Sequence, residues 1–284
     1  MFKTYYNLAK PGIIYGNLIT TVAAYFFASR WQVNAENFLG TVFGLGFVIA
    51  SACVINNYLD RDIDKNMERT KDRALATGAI SNTNAFVFAG VLGVVGFALL
   101  LVFVNVLAAL VALAGFLIYV FVYSFSKRTT HWATEIGSLA GAVPIVVGYV
   151  AVADRLDLVA LILFLILALW QMPHFFSIAT YRSREYAAAG IPVLPLRKGT
   201  HETKRQILLY IIGFALAASL LTFLGYAGYA YVLVVELAAL VWFGFATQGF
   251  TAENEDAWAR KLFFISLAVL LVFSVALSFA SVLP

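Results

Sequence analysis

The chain has 284 residues, 62% of them hydrophobic and only 12% charged, with a mean hydropathy of +0.89 and a formal net charge of +4. That apolar share is far above that of a soluble domain and excludes an ordinary water-soluble globular fold. The single cysteine, Cys53, excludes an internal disulfide and a cysteine-based metal cluster.

The apolar residues fall in nine long runs, near 13–29, 38–58, 85–104, 107–125, 133–153, 157–178, 206–224, 228–248 and 262–282. A hydrocarbon core of about 30 Å needs roughly 20 apolar residues per helical crossing, whereas barrel strands are about ten residues long and alternate. Length therefore selects helix where periodicity cannot. The expected fold is all-α: one transmembrane domain, residues 1–284, built as a bundle of nine membrane-spanning helices. The opening "MFKTYYNLAKPG" is short, polar and without a small-residue cleavage site, so no cleavable signal is expected. It is not rich in Arg and Ser as a transit peptide is, which favours a bacterial inner-membrane protein.

Of the 19 Lys and Arg residues, all but Arg30 and Arg155 lie in the N-terminal segment or after the second, fourth, sixth and eighth runs. Positive-inside bias then places the N-terminus and those loops in the cytoplasm and the C-terminus outside. The basic residues are dispersed over several loops, which argues against a nucleic-acid partner. Outer connections are short. Two longer polar segments, 59–84 and 179–205, follow the second and sixth runs and hint at a duplicated four-helix plan, although no residue-level repeat is visible.

The first of these segments is entered through "NNYLDRDIDKNMERTKDR", residues 56–73, with ten charged side chains in eighteen positions. Asn57, Asp60 and Asp64 share a face if the second helix continues past the bilayer edge, and Asn56 lies one turn before Asp60. Oxygen-only ligands suit a hard cation such as Mg²⁺, which takes one or two carboxylates together with substrate phosphates and water. An EF-hand is excluded, because its glycine and glutamate positions hold Lys65 and Lys71. A solvated helix end is the plain alternative. Ionisable groups abutting a span are costly and usually functional, however, and basic residues follow the acids. The stretch reads as a Mg²⁺–diphosphate site at the membrane surface.

In "YSFSKRTTHWATE", Lys127 and Arg128 are either positive-inside anchors or anion ligands. In the sixth run, His174, Ser177, Tyr181 and Glu185 follow helical spacing, and Pro173 is expected to kink the helix. His174 reads either as a hydrogen-bonded helix-end histidine or as a ligand or acid/base near the substrate. Glu135 and Glu236 are expected to be buried, partnered glutamates with no chemical role.

The 56–73 stretch resembles the first signature of the UbiA-type intramembrane prenyltransferases, Asn-Asp-x-x-Asp-x-x-x-Asp. Asn56 matches its Asn, Asn57 replaces the first Asp, and Asp60 and Asp64 match the others. The second signature, normally two aspartates four apart, is replaced by Tyr181 and Glu185. "QMPHF", "EYAAAGIPVLP" and the 56–73 pattern together resemble the branch of that family whose acceptor is heme B. Ala74 departs from the usual proline, which implies a local geometric adjustment and not lost activity.

The resemblance implies transfer of a farnesyl group from farnesyl diphosphate to a heme B vinyl group, with addition of water, giving heme O. It implies catalytic roles for Asp60, Asp64 and Glu185, and Mg²⁺ held by Asn57, Asp60 and Asp64. Arg61, Lys65, Arg69, Arg73, Lys127 and Arg128 would bind the diphosphate, His174 and Tyr181 would bind heme, and His174 would contact its iron or a propionate. Expected partners are farnesyl diphosphate, heme B, the lipid bilayer and a downstream heme A synthase or terminal oxidase. A prenyltransferase with an aromatic quinone-precursor acceptor is the nearest alternative. A secondary transporter is the next, but transporter sites lie near the midplane, whereas these charges gather at one face.

Overall fold

The computed structural model describes residues 2–284, and among them nine helices are long and apolar enough to cross a membrane. They are α1 (Pro11–Ser29), α2 (Ala35–Asp64), α3 (Asn82–Phe103), α4 (Val106–Thr129), α5 (Ala133–Ala153), α6 (Leu158–Tyr181), α7 (Leu194–Phe223), α8 (Tyr229–Phe250) and α9 (Glu255–Phe279). Short helices at Phe2–Leu8 and Ser183–Ala188 flank them, and no strand occurs among the described residues. The nine runs thus become nine helices. The second continues past its apolar stretch to Asp64, and α7 begins at Leu194, well before the run that announced it.

Polar side chains at the turns set where the helices start. Asn34, Ser81, Asn105, Asp157 and Asn254 each accept a hydrogen bond from a backbone N–H of the first turn that follows, satisfying donors that an apolar surround would leave orphaned. Asn105 also donates to the Val150 carbonyl at 2.9 Å, which fastens the tight α3–α4 turn to α5.

α5 and α6 are the central helices. α5 packs on α1 and α4, α6 on α7 and α9, and α9 closes back against α1, while α2 pairs most extensively with α3. Residues Val143 to Ala151 of α5 are all buried, whereas α3 buries only Ala85, Ala89, Gly96 and Leu100, a single seam against α2. Small residues permit the closest approaches, as is usual where helices associate in lipid. A Cβ on Gly148 would lie 2.1 Å from the Thr21 carbonyl oxygen, and Thr21 Oγ1 donates to the Pro144 carbonyl at 3.0 Å, so α1 and α5 are in backbone contact.

Three irregularities shape the end of the bundle where the charged loops gather. α4 contains a π-helical turn, Ile118–Tyr123, and Ser124 Oγ donates to the Tyr119 carbonyl at 3.1 Å. π-Turns recur at functional sites. α6 runs through Pro173, whose carbonyl accepts Ser177 Oγ at 2.7 Å. α7 is interrupted at Gly199, whose φ of 82° and ψ of 165° suit glycine. A second, smaller core of Leu8, Val54, Leu75, Ile80, Ala85 and Ala89 binds the N-terminal helix and the segment after α2 to α2 and α3.

Of the two membrane-embedded glutamates, Glu236 is partnered as expected, accepting Ser219 Oγ at 2.8 Å. Glu135 is not. Both its carboxylate oxygens are buried without a hydrogen-bond partner.

Gly148→Val is expected to destabilise the bundle by about 1–3 kcal/mol through overpacking against Thr21. The measurement is a melting curve in detergent beside Gly244→Ala, whose Cβ meets open space. Equal melting temperatures would refute the α1–α5 contact.

Candidate active site

The helices surround a cavity of about 740 Å³ that opens among the charged loops and runs into the bundle. Its inner wall is apolar, including Leu45, Val48, Phe116, Leu167 and Leu270. Its outer wall carries two carboxylates, Asp60 and Asp64, and five cationic side chains, Lys10, Arg69, Arg73, Lys127 and Arg182. The excess of positive charge suits a polyanion, and the apolar interior suits a hydrocarbon chain attached to it.

The carboxylates stand one turn apart on α2 and are buried. Asp60 pairs with Lys127 from the end of α4. Both oxygens of Asp64 accept from Arg73 Nη1, at 3.0 and 2.9 Å. The segment carrying Arg73 is held in turn by Thr70, whose hydroxyl donates to the Asp64 carbonyl at 3.0 Å. Asn56, one turn before Asp60, lines the cavity, accepts Lys10 Nζ at 2.6 Å and donates to Ser124 Oγ at 3.0 Å. Tyr119 and Tyr123, from the π-turn, complete that wall, and the Lys127 ammonium lies 5.6 Å from the Tyr123 ring centre.

Several expected site residues lie elsewhere. Asn57 turns from the cavity and donates to the Leu8 carbonyl at 2.7 Å, so its side chain anchors the N-terminal helix, and Asn56 takes the wall position. Arg61 donates to the Tyr58 carbonyl at 2.7 Å and stacks over the Tyr58 ring at 4.1 Å. Arg128 is engaged outside the cavity by both oxygens of Asp62, at 2.8 and 2.9 Å, and by the Leu59 carbonyl. Lys65 is exposed and does not line the cavity.

Of the six basic residues expected at the anion, the structure brings Arg69, Arg73 and Lys127 together at the cavity. Lys10 and Arg182 join them unforeseen. Lys10 stands immediately before the proline that opens α1, in a left-handed conformation (φ 54°) that is uncommon for a non-glycine residue.

His174 and Tyr181 also line the cavity. Glu185 does not follow them on one helical face, because α6 ends at Tyr181 and Glu185 belongs to the separate helix Ser183–Ala188. Its Oε1 accepts Arg182 Nη1 at 2.8 Å and its Oε2 is buried without a partner. Glu185 therefore orients a cavity arginine from behind.

Asp60, Asp64 and Asn56 form an all-oxygen donor set open to the cavity, and no three acidic, histidine or cysteine side chains converge among the described residues. Such a set fits a divalent cation that completes its coordination with oxygens of a bound anion and water, as Mg²⁺ does.

Burial lowers the Lys10 ammonium to about 8, helped by the nearby charges of Arg73 and Lys127 and opposed by Asp60. Burial raises the Tyr186 phenol, against the pull of Arg69 and Arg182.

The chain belongs to the UbiA prenyltransferase family, whose pattern matches residues 17–268. It is 49% identical to a protoheme IX farnesyltransferase of Sodalis glossinidius over 286 aligned positions, covering 100% of this chain and 96% of the relative. It is 48% identical to a protein of the same name from Yersinia pseudotuberculosis, covering 98% of this chain and 95% of that one. Among solved structures, a digeranylgeranylglyceryl phosphate synthase superposes with a TM-score of 0.82 at 20% identity, covering 99% of this chain and 98% of that one. A UbiA homologue from Archaeoglobus fulgidus, solved with GPP and Mg²⁺, gives a TM-score of 0.70 at 15% identity, covering 96% and 99%. These structures establish the shared helical fold.

A neutral Lys10 binds an anion less well than a charged one, and an anion beside it favours the charged form. Diphosphate affinity is therefore expected to fall as pH rises through about 8. Binding near that pH takes up a proton, seen as a buffer-dependent heat in calorimetry, and Lys10→Met removes the effect. A heat that is the same in all buffers would take Lys10 out of the anion site.

Proposed function

We propose that this chain transfers the farnesyl group of farnesyl diphosphate to a vinyl group of heme B, with addition of water, producing heme O and diphosphate. The observation that carries the reading is one cavity whose mouth combines paired carboxylates with five cationic groups and whose interior is apolar and large enough for a prenyl chain. The high identity to protoheme IX farnesyltransferases supports heme B as the acceptor.

In this reading Arg69, Arg73, Lys10, Lys127 and Arg182 bind the diphosphate and cover the negative charge that grows on it as the allylic C–O bond breaks. Asp60 and Asp64, with Asn56 beside them, would hold Mg²⁺, which when bound would supply Lewis-acid stabilisation of that leaving group. Lys127 and Arg73 neutralise the two carboxylates in the free protein and are positioned to turn to the diphosphate when it enters. The apolar wall around Phe116, Leu167 and Leu270 holds the hydrocarbon and keeps water from the allylic carbon. The vinyl π-electrons form the new C–C bond, leaving a cation on the carbon next to the porphyrin. Water adds there and loses a proton. Glu185 acts through Arg182, and Tyr181 borders the acceptor.

The chain forms one domain in this reading, in a bacterial inner membrane with its N-terminus and charged loops cytoplasmic and its C-terminus outside. The distribution of basic residues supports that orientation. Its product would pass to a heme A synthase or a terminal oxidase.

Purified protein incubated with heme B, farnesyl diphosphate and Mg²⁺ is expected to yield a farnesylated, hydrated heme by mass spectrometry. Asp60→Ala and Asp64→Ala are expected to lower the rate by about 10²–10³-fold, the scale of losing one electrostatic stabiliser. Chelation with EDTA should stop turnover until Mg²⁺ is restored. No heme product, with conversion of an aromatic acceptor in the same preparation, would overturn the assignment.

A further inference from the structure

Among the described residues His174 is the one histidine on the cavity wall, and its ring is fixed more firmly than packing alone requires. Trp170, one turn earlier on α6, stacks on it with 4.9 Å between centres and 23° between planes. Phe263 of α9 lies 4.9 Å away. Nδ1 is 2.7 Å from Ser266 Oγ.

Ser266 is itself held at both ends. Its hydroxyl donates to the Phe263 carbonyl at 2.6 Å, and its own carbonyl accepts Trp170 Nε1 at 3.0 Å. A serine hydroxyl has a single proton. Since that proton goes to the Phe263 carbonyl, the Ser266 oxygen can only accept from the imidazole. Nδ1 therefore carries the ring proton, and a neutral imidazole protonated there keeps a free lone pair on Nε2. No hydrogen bond to Nε2 occurs among the described residues, and the ring belongs to the cavity wall.

We infer that His174 Nε2 is an axial ligand to the iron of the heme acceptor, with Ser266 as the positioning residue that fixes the tautomer. The inference rests on the heme reading above and adds how that substrate is held. An Nδ1–H bonded to an oxygen acceptor is the arrangement that orients metal-binding histidines and sharpens their basicity. The step is a ligand exchange: the Nε2 lone pair forms the Fe–N bond and a weak ligand such as water leaves. No proton is released, because Nε2 carries none, and the oxidation state of the iron does not change.

A role for the ring as a general base for the added water is less well supported. It would create an imidazolium whose only hydrogen-bonding partner is the Ser266 hydroxyl, among Trp170, Phe175 and Phe263. His174 lies two turns inside the end of α6 at Tyr181, about 10 Å along the axis at 1.5 Å per residue. The iron would then sit within the apolar bundle, below the charged mouth.

The test is optical and resonance Raman titration of the full chain in detergent with ferrous and ferric heme B. The unaltered protein should show saturable binding and an iron–histidine stretching band. His174→Ala should lose the band and bind heme about tenfold or more less tightly, with the band restored by added imidazole. Ser266→Ala should keep the band but shift its frequency.

His174→Cys provides a second reading if the alanine variant does not fold, since its spectrum should change to that of a thiolate or a water ligand. A nitrogen-ligand spectrum retained in either His174 variant without imidazole would overturn the inference. So would loss of product in His174→Ala with an unchanged heme spectrum, because the ring would then act on the water. Absence of saturable heme binding by the unaltered protein would instead overturn the heme reading itself.

Discussion

Everything at the mouth of the cavity depends on burying two aspartates beside a membrane span. An isolated carboxylate there would cost several kcal/mol, and removing one partner of a buried pair costs about 3–5 kcal/mol. Asp60 and Asp64 are tolerated because Lys127 and Arg73 reach them from different parts of the chain. The two ion pairs therefore also tie structure together. They join the end of α2 to the end of α4 and to the segment after α2, which Leu75 and Ile80 fasten from below through the smaller core. The same contacts that make the acids affordable fix the wall of the cavity.

The irregular backbone gathers around that wall. The π-turn of α4 carries Tyr119 and Tyr123 in the wall and is followed by Ser124, which the side chain of Asn56 contacts at 3.0 Å. Pro173 stands next to His174, and the break at Gly199 lies in the segment that follows the Ser183–Ala188 helix. The outer turns carry left-handed residues of their own, Arg30, Trp31 and Asp154, and are held by side-chain caps and stacked aromatics. Trp31, for example, lies between Phe26 and Phe279 and donates Nε1 to the Ser278 carbonyl at 2.7 Å.

Most of this architecture was legible in the sequence, because the length of an apolar run is a one-dimensional property that the bilayer reads directly. The carboxylate pair was legible too, since Asp60 and Asp64 are one turn apart on any helix. The facing of their neighbours was not. Asn56 and Asn57 are adjacent, and only the docking of Leu8 decides which of them turns from the cavity. Arg61 and Arg128 look like Lys127 in sequence, yet each finds a local partner outside, Tyr58 for one and Asp62 for the other. Lys10 reads as an ordinary anchor before a span. Its one signal is the proline after it, which fixes where α1 begins and thereby where the ammonium must go. Glu185 was placed on the wrong element because helical spacing was carried past Tyr181, where α6 stops.

The turns away from the charged mouth bear on how such a chain is made. On the proposed orientation, the stretches that must cross the bilayer completely are 30–34, 104–105, 154–157 and 224–228, together with the C-terminus. Each joins a helix to its successor, so α1–α2, α3–α4, α5–α6 and α7–α8 are four hairpins that can enter the lipid as units, with α9 following alone. The charged side chains carried across in or beside those turns are few: Arg30, Glu36, Asp154, Arg155 and Asp157, and two of the turns carry none. The dense charge that chemistry demands stays on the side where the chain is synthesised, and biogenesis is spared the passage of the active site through hydrocarbon.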